Sequence, residues 1–373
     1  MKTRRCFGVS LALLVCLLNC SRKENKVPSL IENNEPIFVC GDSNSGQYYK
    51  FVWEYIVDRN GKTYLWDYYN GDHIDVYDER GEFLFQFGRK GQGPGEFQAL
   101  ANGAIDSRGN IWINDGNHKT LKIFSEHGEY KQDLKIPDEV ARSYIKKMVF
   151  NDDELYIMCR GNRGEISIHK YDTKEDRCGL IYNEKRRIRV SFVDFVPDFA
   201  LDQDGNLYVT DSFEYRVHKY SKDGKLIKKY EDRRLKKERI VDKDFNIFDN
   251  DFKIIRYPEY KGLVGQLTGP SQYFPAIFGI NIDRGIIYVW TSRRDDMNRY
   301  IVDVYDKNFN KIGKACYFNL VRDNLAQVVG GKLYIPSLEN YHVELTKHVG
   351  RLSFFNIPDR LNVYIISKEI RRR

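Results

Sequence analysis

Apolar and polar residues alternate in short runs along most of this chain, and Asp and Gly interrupt the runs at fixed intervals. The stretch "HIDVYDERGEFLFQF", His73 to Phe87, shows the pattern: two alternating segments joined by Asp-Glu-Arg-Gly. A period of two puts apolar side chains on one face of a strand. Asp-x-x-Gly makes a tight turn, because Gly tolerates positive φ and Asp hydrogen-bonds its own backbone. Three longer stretches repeat this grammar: Val57 to Gly88, Ile105 to Tyr130, and Leu201 to Tyr230. Each reads apolar-Asp-x-x-Gly, a strand, Asp, a polar turn, and a second strand ending in an aromatic. The Asp pairs Asp58/Asp67, Asp106/Asp115 and Asp202/Asp211 are equally spaced, as are Tyr77/Gly81, Phe124/Gly128 and Tyr220/Gly224.

Weaker copies fill the gaps and place Tyr171 and Tyr305 in register. A worn sixth copy, "GGKLYIPSLENYHVELTKHVGRL", has Thr346 at the aromatic position and Gly350 after it. The anchors Tyr77, Phe124, Tyr171, Tyr220, Tyr305 and Thr346 step by 47, 47, 49, 85 and 41 residues. The long interval carries an excess at 231–269, which opens with the charged run "EDRRLKKERIVDKD". That segment is an insertion or a seventh, degenerate blade. Its lack of an apolar-Asp-x-x-Gly signal favours an insertion. A period of about 40–50 residues with four short strands per unit is the signature of a β-propeller. The expected fold is therefore all-β: a six-bladed β-propeller of four-stranded antiparallel blades over 36–373, with one insertion.

Between the first two units lies "GRKGQGPGEF", Gly88 to Phe97. A phosphate-binding P-loop needs Gly-Lys-Ser/Thr at its end, and a dinucleotide fingerprint needs G-x-G-x-x-G; Pro94 and Glu96 break both. The stretch instead joins the outer strand of one unit to the inner strand of the next, a sharp turn that Gly and Pro permit. With this motif the chain resembles the bacterial exported six-bladed propellers related to NHL repeats, which carry G-x-x-G-x-G-P-G-E-F/Y between blades. The resemblance runs from about Ile37 to the C-terminus. It implies that "RLNVYIISKEI", Arg360 to Ile370, is a closing strand that pairs with N-terminal sequence such as Pro36 to Gly41.

The N-terminus adds a location. Lys2, Arg4 and Arg5 precede an apolar run, Phe7 to Leu18, that is shorter than the roughly 20 residues a bilayer span needs. Residues 1–19 read as a signal peptide. The following "LLNC" resembles a bacterial lipobox with Cys20 as the lipidated residue. Residues 20–35 are then a flexible tether, and the protein is expected to be exported to the cell envelope as a membrane-anchored lipoprotein, periplasmic or outer-membrane associated. Removing Lys2, Arg4 and Arg5 with the leader turns 60 basic against 53 acidic residues (+7) into 57 against 53, or +4. Such a mixed surface is not a nucleic-acid footprint. Cys40, Cys159, Cys178 and Cys316 lack C-x-x-C spacing and read as buried thiols, although three pairings are open to four cysteines.

Candidate chemistry follows from the repeat register. Four residues before each inner-strand Asp or its equivalent stand Glu54, Asn102, Lys146, Asp198, Gly279 and Asn324, expected at the mouth of the central channel. NHL-like repeats usually have Gly there. Glu54, Asn102, Asp198 and Asn324 offer the oxygen donors that hard cations prefer, and the resemblance extends to propellers that hydrolyse sugar lactones with a bound calcium. No cofactor is required by the residues themselves, with calcium the candidate if one is used. The second Asp of each strong repeat (Asp67, Asp115, Asp211) is expected to cap its own turn. The histidines show no H-x-x-x-H spacing, although His73 and His118 fall in corresponding turns. No nucleophile elbow is present. The favoured reading is a non-enzymatic binding module for a protein, peptide or glycan at the channel mouth. The alternative is a metal-dependent lactonase, hydrolase or lyase.

Overall fold

In a computed structural model of the chain, the structure describes residues 28–32, 35–41, 49, 52–67, 72–116, 119–161, 165–184, 197–211, 214–232, 247–248, 254–255, 276–294, 299–317, 326–337, 343–348, 351–356, 360–367 and 370. Cys20, His118 and Asn324 lie outside them.

Six four-stranded antiparallel sheets follow one another as blades. Blade 1 is Val52–Val57, Thr63–Asp67, Ile74–Tyr77 and Phe83–Phe87. Blade 2 is Leu100–Ile105, Ile111–Asp115, Thr120–Phe124 and Tyr130–Lys135. Blade 3 is Tyr144–Asn151, Glu154–Arg160, Ile166–Asp172 and Arg177–Glu184. Blade 4 is Phe199–Leu201, Leu207–Thr210, Arg216–Tyr220 and Leu226–Glu231. Blade 5 is Ile277–Asp283, Ile286–Arg294, Tyr300–Tyr305 and Lys311–Tyr317. Blade 6 is built from both ends of the chain. Gln327–Val329 and Lys332–Ser337 pair in sequence, Arg360–Ile365 is the third strand, and Phe38–Cys40 completes the sheet outside it. The closing register sets Phe38 against Val363 and Cys40 against Leu361.

The second strand of each blade shows why these sheets stack. Tyr64 and Trp66 belong to the core shared with blade 2, whereas Leu65 lies in the core shared with blade 6. The pattern repeats: Trp112, Tyr156, Tyr208, Tyr288 and Tyr334 pack toward the next blade, while Ile111, Leu155, Leu207, Ile287 and Leu333 pack toward the previous one. A strand buried on both faces cannot alternate apolar with polar; it reads as a continuous apolar run. The outer strands, such as Leu226–Glu231, are mostly exposed. Six hydrophobic cores result, one for each seam between adjacent blades.

The "GRKGQGPGEF" stretch is a joint of this kind. Arg89–Lys90 and Glu96–Phe97 pair in parallel, and the Phe97 ring is fully buried 5.5 Å from Phe124. The Glu96 carboxylate accepts from the Gly93 N–H at 2.8 Å and from Arg89 Nε at 2.7 Å. It occupies the loop's inward N–H group with an anion of the chain's own. These contacts, led by the Gly93 N–H bond, hold the Glu96 pKa below its ordinary value.

Two expectations need correction. Thr346 is not the sixth anchor: Val343–His348 pairs with Arg351–Asn356 as a separate hairpin, and Tyr364, opposite Leu333, takes the anchor position. The Gly350 spacing imitated the repeat inside an excursion between the second and third strands. The tether through residue 35 is shorter than expected. Leu30 N–H donates to the Cys316 carbonyl at 2.9 Å and Ser367 N–H donates to the Leu30 carbonyl at 2.8 Å, with Leu30 and Ile31 buried beside Ile366 and Ile370. Asp115 accepts from Gln98 and Ala99 N–H at 3.1 and 3.0 Å and clamps the incoming crossover, while Asp211 accepts from the Glu214 N–H of its own turn at 3.2 Å. In the 231–269 segment, Ile247–Phe248 pairs with Ile254–Ile255, and the described residues there form no four-stranded sheet. Cys40, Cys159, Cys178 and Cys316 are free thiols, and burial pushes Cys159 up to about 12 and Cys178 to about 11.

The joint gives a direct test. A Cβ on Gly88 would sit 2.3 Å from the Phe97 ring at φ +80, whereas one on Gly109, also at φ +80, would meet nothing closer than 3.8 Å. Both substitutions to Ala carry the left-handed backbone cost of about 1–2 kcal/mol. Urea denaturation should show Gly88→Ala more destabilising than Gly109→Ala by at least about 1 kcal/mol of packing strain; equal losses would mean the ring is not seated there.

Candidate functional site

The inner strands bulge where they enter the channel. Register breaks fall at Val52/Glu54, Leu100/Gly103, Ile145/Lys147 and Ile277/Gly279. An extra residue re-aims the side chains around it, so a count of four back from an Asp does not fix which side chain enters the channel. Glu54 and Asn102 do come together: Asn102 Nδ2 donates to Glu54 Oε2 at 3.3 Å and to the Lys146 carbonyl at 3.1 Å. Lys146 thus contributes its backbone, while its ammonium lies over the Tyr144 ring at 5.0 Å. Its neighbour Lys147 is the one that reaches Asp198, at 2.7 Å, and also donates to the Phe199 carbonyl at 2.8 Å.

Asp198 is a staple across three blades. Its Oδ1 accepts from Lys147 of blade 3 and from the Phe199 N–H of blade 4 at 2.8 Å; its Oδ2 accepts the Ile280 N–H of blade 5 at 2.9 Å. Its own N–H donates to Thr210 Oγ1 at 2.8 Å. Calcium takes six to eight oxygen ligands, usually with several carboxylates. Here both Asp198 oxygens are engaged by donors of the chain itself, and a lysine stands against them. Among the described residues no three His, Cys, Asp or Glu side chains assemble as a metal site.

Two polar clusters emerge elsewhere, on third strands. In blade 1, Tyr49 donates to Asp75 Oδ2 at 2.5 Å and shares a 2.6 Å hydrogen bond with Tyr77; His73 Nε2 is 3.5 Å from Asp75 Oδ1. In blade 5, Tyr215 reaches from blade 4 to Asp303 Oδ2 and Tyr305, each at 2.5 Å. Burial drives the Tyr49 and Tyr215 hydroxyls far above the ordinary tyrosine value, and pushes Asp75 up. Sequence reasoning passed over this position, although it was readable. Two residues before each anchor aromatic stand Asp75, Lys122, His169, His218, Asp303 and Asn362, polar residues inside apolar strands. Lys122, with its side chain 1% exposed, makes a bidentate contact to Asp133 at 3.0 and 3.2 Å. His169 shares a 3.0 Å hydrogen bond with Ser167.

A family model described as a 6-bladed beta-propeller (DUF5128) matches residues 53–231, which cover blades 1 to 4. No curated protein matches the sequence. Among solved structures, a member of the DUF4221 family from Bacteroides vulgatus is similar at TM-score 0.57 and 14% identity, over 92% of this chain and 99% of its own. A protein of unknown function from Bacteroides thetaiotaomicron follows at TM-score 0.49 and 10% identity, over 90% of this chain and 75% of its own. Virginiamycin B lyase from Staphylococcus aureus gives TM-score 0.42 and 11% identity, over 85% and 95%. At these identities the first shows a shared fold alone, and the other two are too distant to carry an argument.

Two outcomes follow from the buried groups. Asp198→Ala leaves Lys147 unpaired and two N–H groups without their acceptor; chemical denaturation should show a loss of about 3 kcal/mol. A loss under about 0.5 kcal/mol would mean the staple is absent. His169 and His218 have pKa values lowered chiefly by burial, so each is protonated more readily in the unfolded chain. Their contribution is therefore complete above the unfolded value of about 6.5 and is lost as pH falls below it. The double substitution to Gln should flatten the stability curve between about pH 6.5 and 5, measured by urea titration at each pH.

Proposed function

We propose that this chain is an exported, lipid-anchored β-propeller that acts as a binding module and not as a metal-dependent hydrolase or lyase. The observation that carries the reading is the saturation of Asp198. An enzyme of the lactonase type needs an open coordination position flanked by an acid or base. Asp198 instead spends its oxygens on Lys147, Phe199 and Ile280, and Asn102 joins Glu54 to the Lys146 backbone. These contacts hold neighbouring blades together, which is a structural use of the very side chains a metal would require.

The anchor reading rests on the leader and on Cys20. Its geometry is tight, because Pro28 to Glu32 are docked on blades 5 and 6. The eight chain steps from Cys20 to Pro28 reach at most about 28 Å. A lipid on Cys20 would therefore hold the propeller close to the membrane, with the edge where blades 5 and 6 meet nearest to it.

Two measurements test these points separately. Thermal melting of the purified protein should be unmoved by millimolar calcium; a rise in Tm that Glu54→Ala abolishes would contradict the non-metal reading. Radiolabelled palmitate should be incorporated by the native protein and lost in Cys20→Ser. Label that persists in that variant would refute the anchor.

A further inference from the structure

Seven large apolar side chains are exposed among the described residues, and six of them fall at two places on the rim. In blade 1 they include Phe83 and Leu84, and in blade 4 Leu226 and Ile227. Both pairs occupy one position of the repeat, the start of the outer strand directly after its turn. A register break stands there in each case: Tyr77 faces Phe83 and Val76 faces Phe85, while Tyr220 faces Leu226 and Lys219 faces Lys228. Leu84 and Ile227 are thus the extra residues of two equivalent bulges, which re-aim the side chains around them. The other two, Ile37 and Leu180, stand beside Phe38 and Ile181. A Cβ on the turn glycines Gly81 and Gly224 would meet those two side chains at 2.4 and 3.5 Å. The same apolar station is therefore built twice. Blades 1 and 4 are three apart in a ring of six, so the stations lie on opposite sides of it.

Their charges differ in sign. Asp78, Glu79, Arg80 and Glu82 lead into Phe83, and Lys332 donates to the Glu79 carbonyl at 2.8 Å; acids still outnumber bases. Around Leu226 and Ile227 stand Lys222, Lys225, Lys228 and Lys229 against Asp223 and Glu231, with Lys229 2.6 Å from Glu231. Lysine on an edge strand discourages another chain from joining it. The outer strands of blades 2 to 5 each carry lysine or arginine, whereas Phe83–Phe87, "FLFQF", carries no charge. That strand is the edge of its sheet. Two blade 4 stations brought together would set lysine against lysine, and two blade 1 stations would set acid against acid. A blade 1 station on a blade 4 station covers both apolar pairs and matches the acids with lysines.

We propose that the partner of this rim is a second copy of the chain, with the blade 1 station of one molecule docked on the blade 4 station of the next. Such an interface is head-to-tail. Because its two halves sit across the ring, every added copy leaves a station free at each end, and the molecules assemble in a row. The inference goes beyond the binding-module reading and uses neither the channel residues nor Cys20, so the tests given above and the one below succeed or fail independently.

Analytical ultracentrifugation of the purified full-length protein at low salt should show a mass that climbs past two copies as concentration rises. The association constant should fall at least about tenfold between about 20 mM and 0.5 M salt, as the rim charges are screened. Leu84→Lys and Ile227→Lys each put a charge into one station at a side chain 46% or 53% exposed, so both variants should melt like the native protein. Each alone lacks one half of the interface and should sediment as a monomer. Mixed in equal amounts they retain one intact pair of stations, and should form a one-to-one heterodimer that grows no further. A native chain that stays monomeric but sediments with phosphatidylglycerol vesicles would assign the blade 4 lysines to a lipid surface and overturn the proposal. Assembly that stops at two native copies, a single variant that still polymerises, or a mixture that stays monomeric would overturn it equally.

Discussion

A blade of this protein cannot hide its own apolar surface. Its second strand carries bulky side chains on both faces, as with Tyr64 and Leu65 or Tyr208 and Leu207, and each face needs a separate sheet to cover it. Only a ring supplies two neighbours to every blade, so the fold stands or falls on closure. The chain closes it by placing Phe38–Cys40 outside Arg360–Ile365. The same region is pinned again by Leu30 and Ile370, both fully buried. Residues 28–32, 38–40 and 360–367 are therefore structural parts of blades 5 and 6.

Polar groups reinforce this apolar logic at defined points. Glu96 closes its own glycine loop, Asp115 clamps a crossover, and Asp198 spans blades 3, 4 and 5. Each is a carboxylate that accepts backbone N–H groups from chain brought close by the fold, the arrangement in which a buried charge is tolerated. Of the residues expected at the channel mouth, Asp198 and Asn102 bridge neighbouring blades. Between blades 4 and 5, Phe309 replaces a turn glycine in the left-handed region and its ring fills the seam core.

Much of this was legible from spacing. Equal Asp and aromatic intervals gave the blades, and the Gly-Pro stretch was readable as a joint because Pro94 and Glu96 break the phosphate motifs. The closing strand came from resemblance to a family. Other features were hidden for physical reasons. Thr346 was mistaken for an anchor because Gly350 copied a spacing within an excursion whose strands Val343–His348 and Arg351–Asn356 pair with each other. The contact of Lys147 with Asp198 was not readable, because a bulge shifts register in a way a period of two cannot express. The Phe309 substitution was visible in "DKNFNK" set against "DERGE" and "SEHGE". Its meaning appears only once Tyr230, 79 residues earlier in the chain, is stacked on it.

Ring closure can be measured through the strand that completes it. Amide hydrogen exchange of Arg360–Ile365 should be slow in the full protein, and should become fast when residues 1–41 are removed, along with exchange in the seams on either side of blade 6. Protection of 360–365 that is unchanged by that truncation would show that the N-terminal strand does not close the ring.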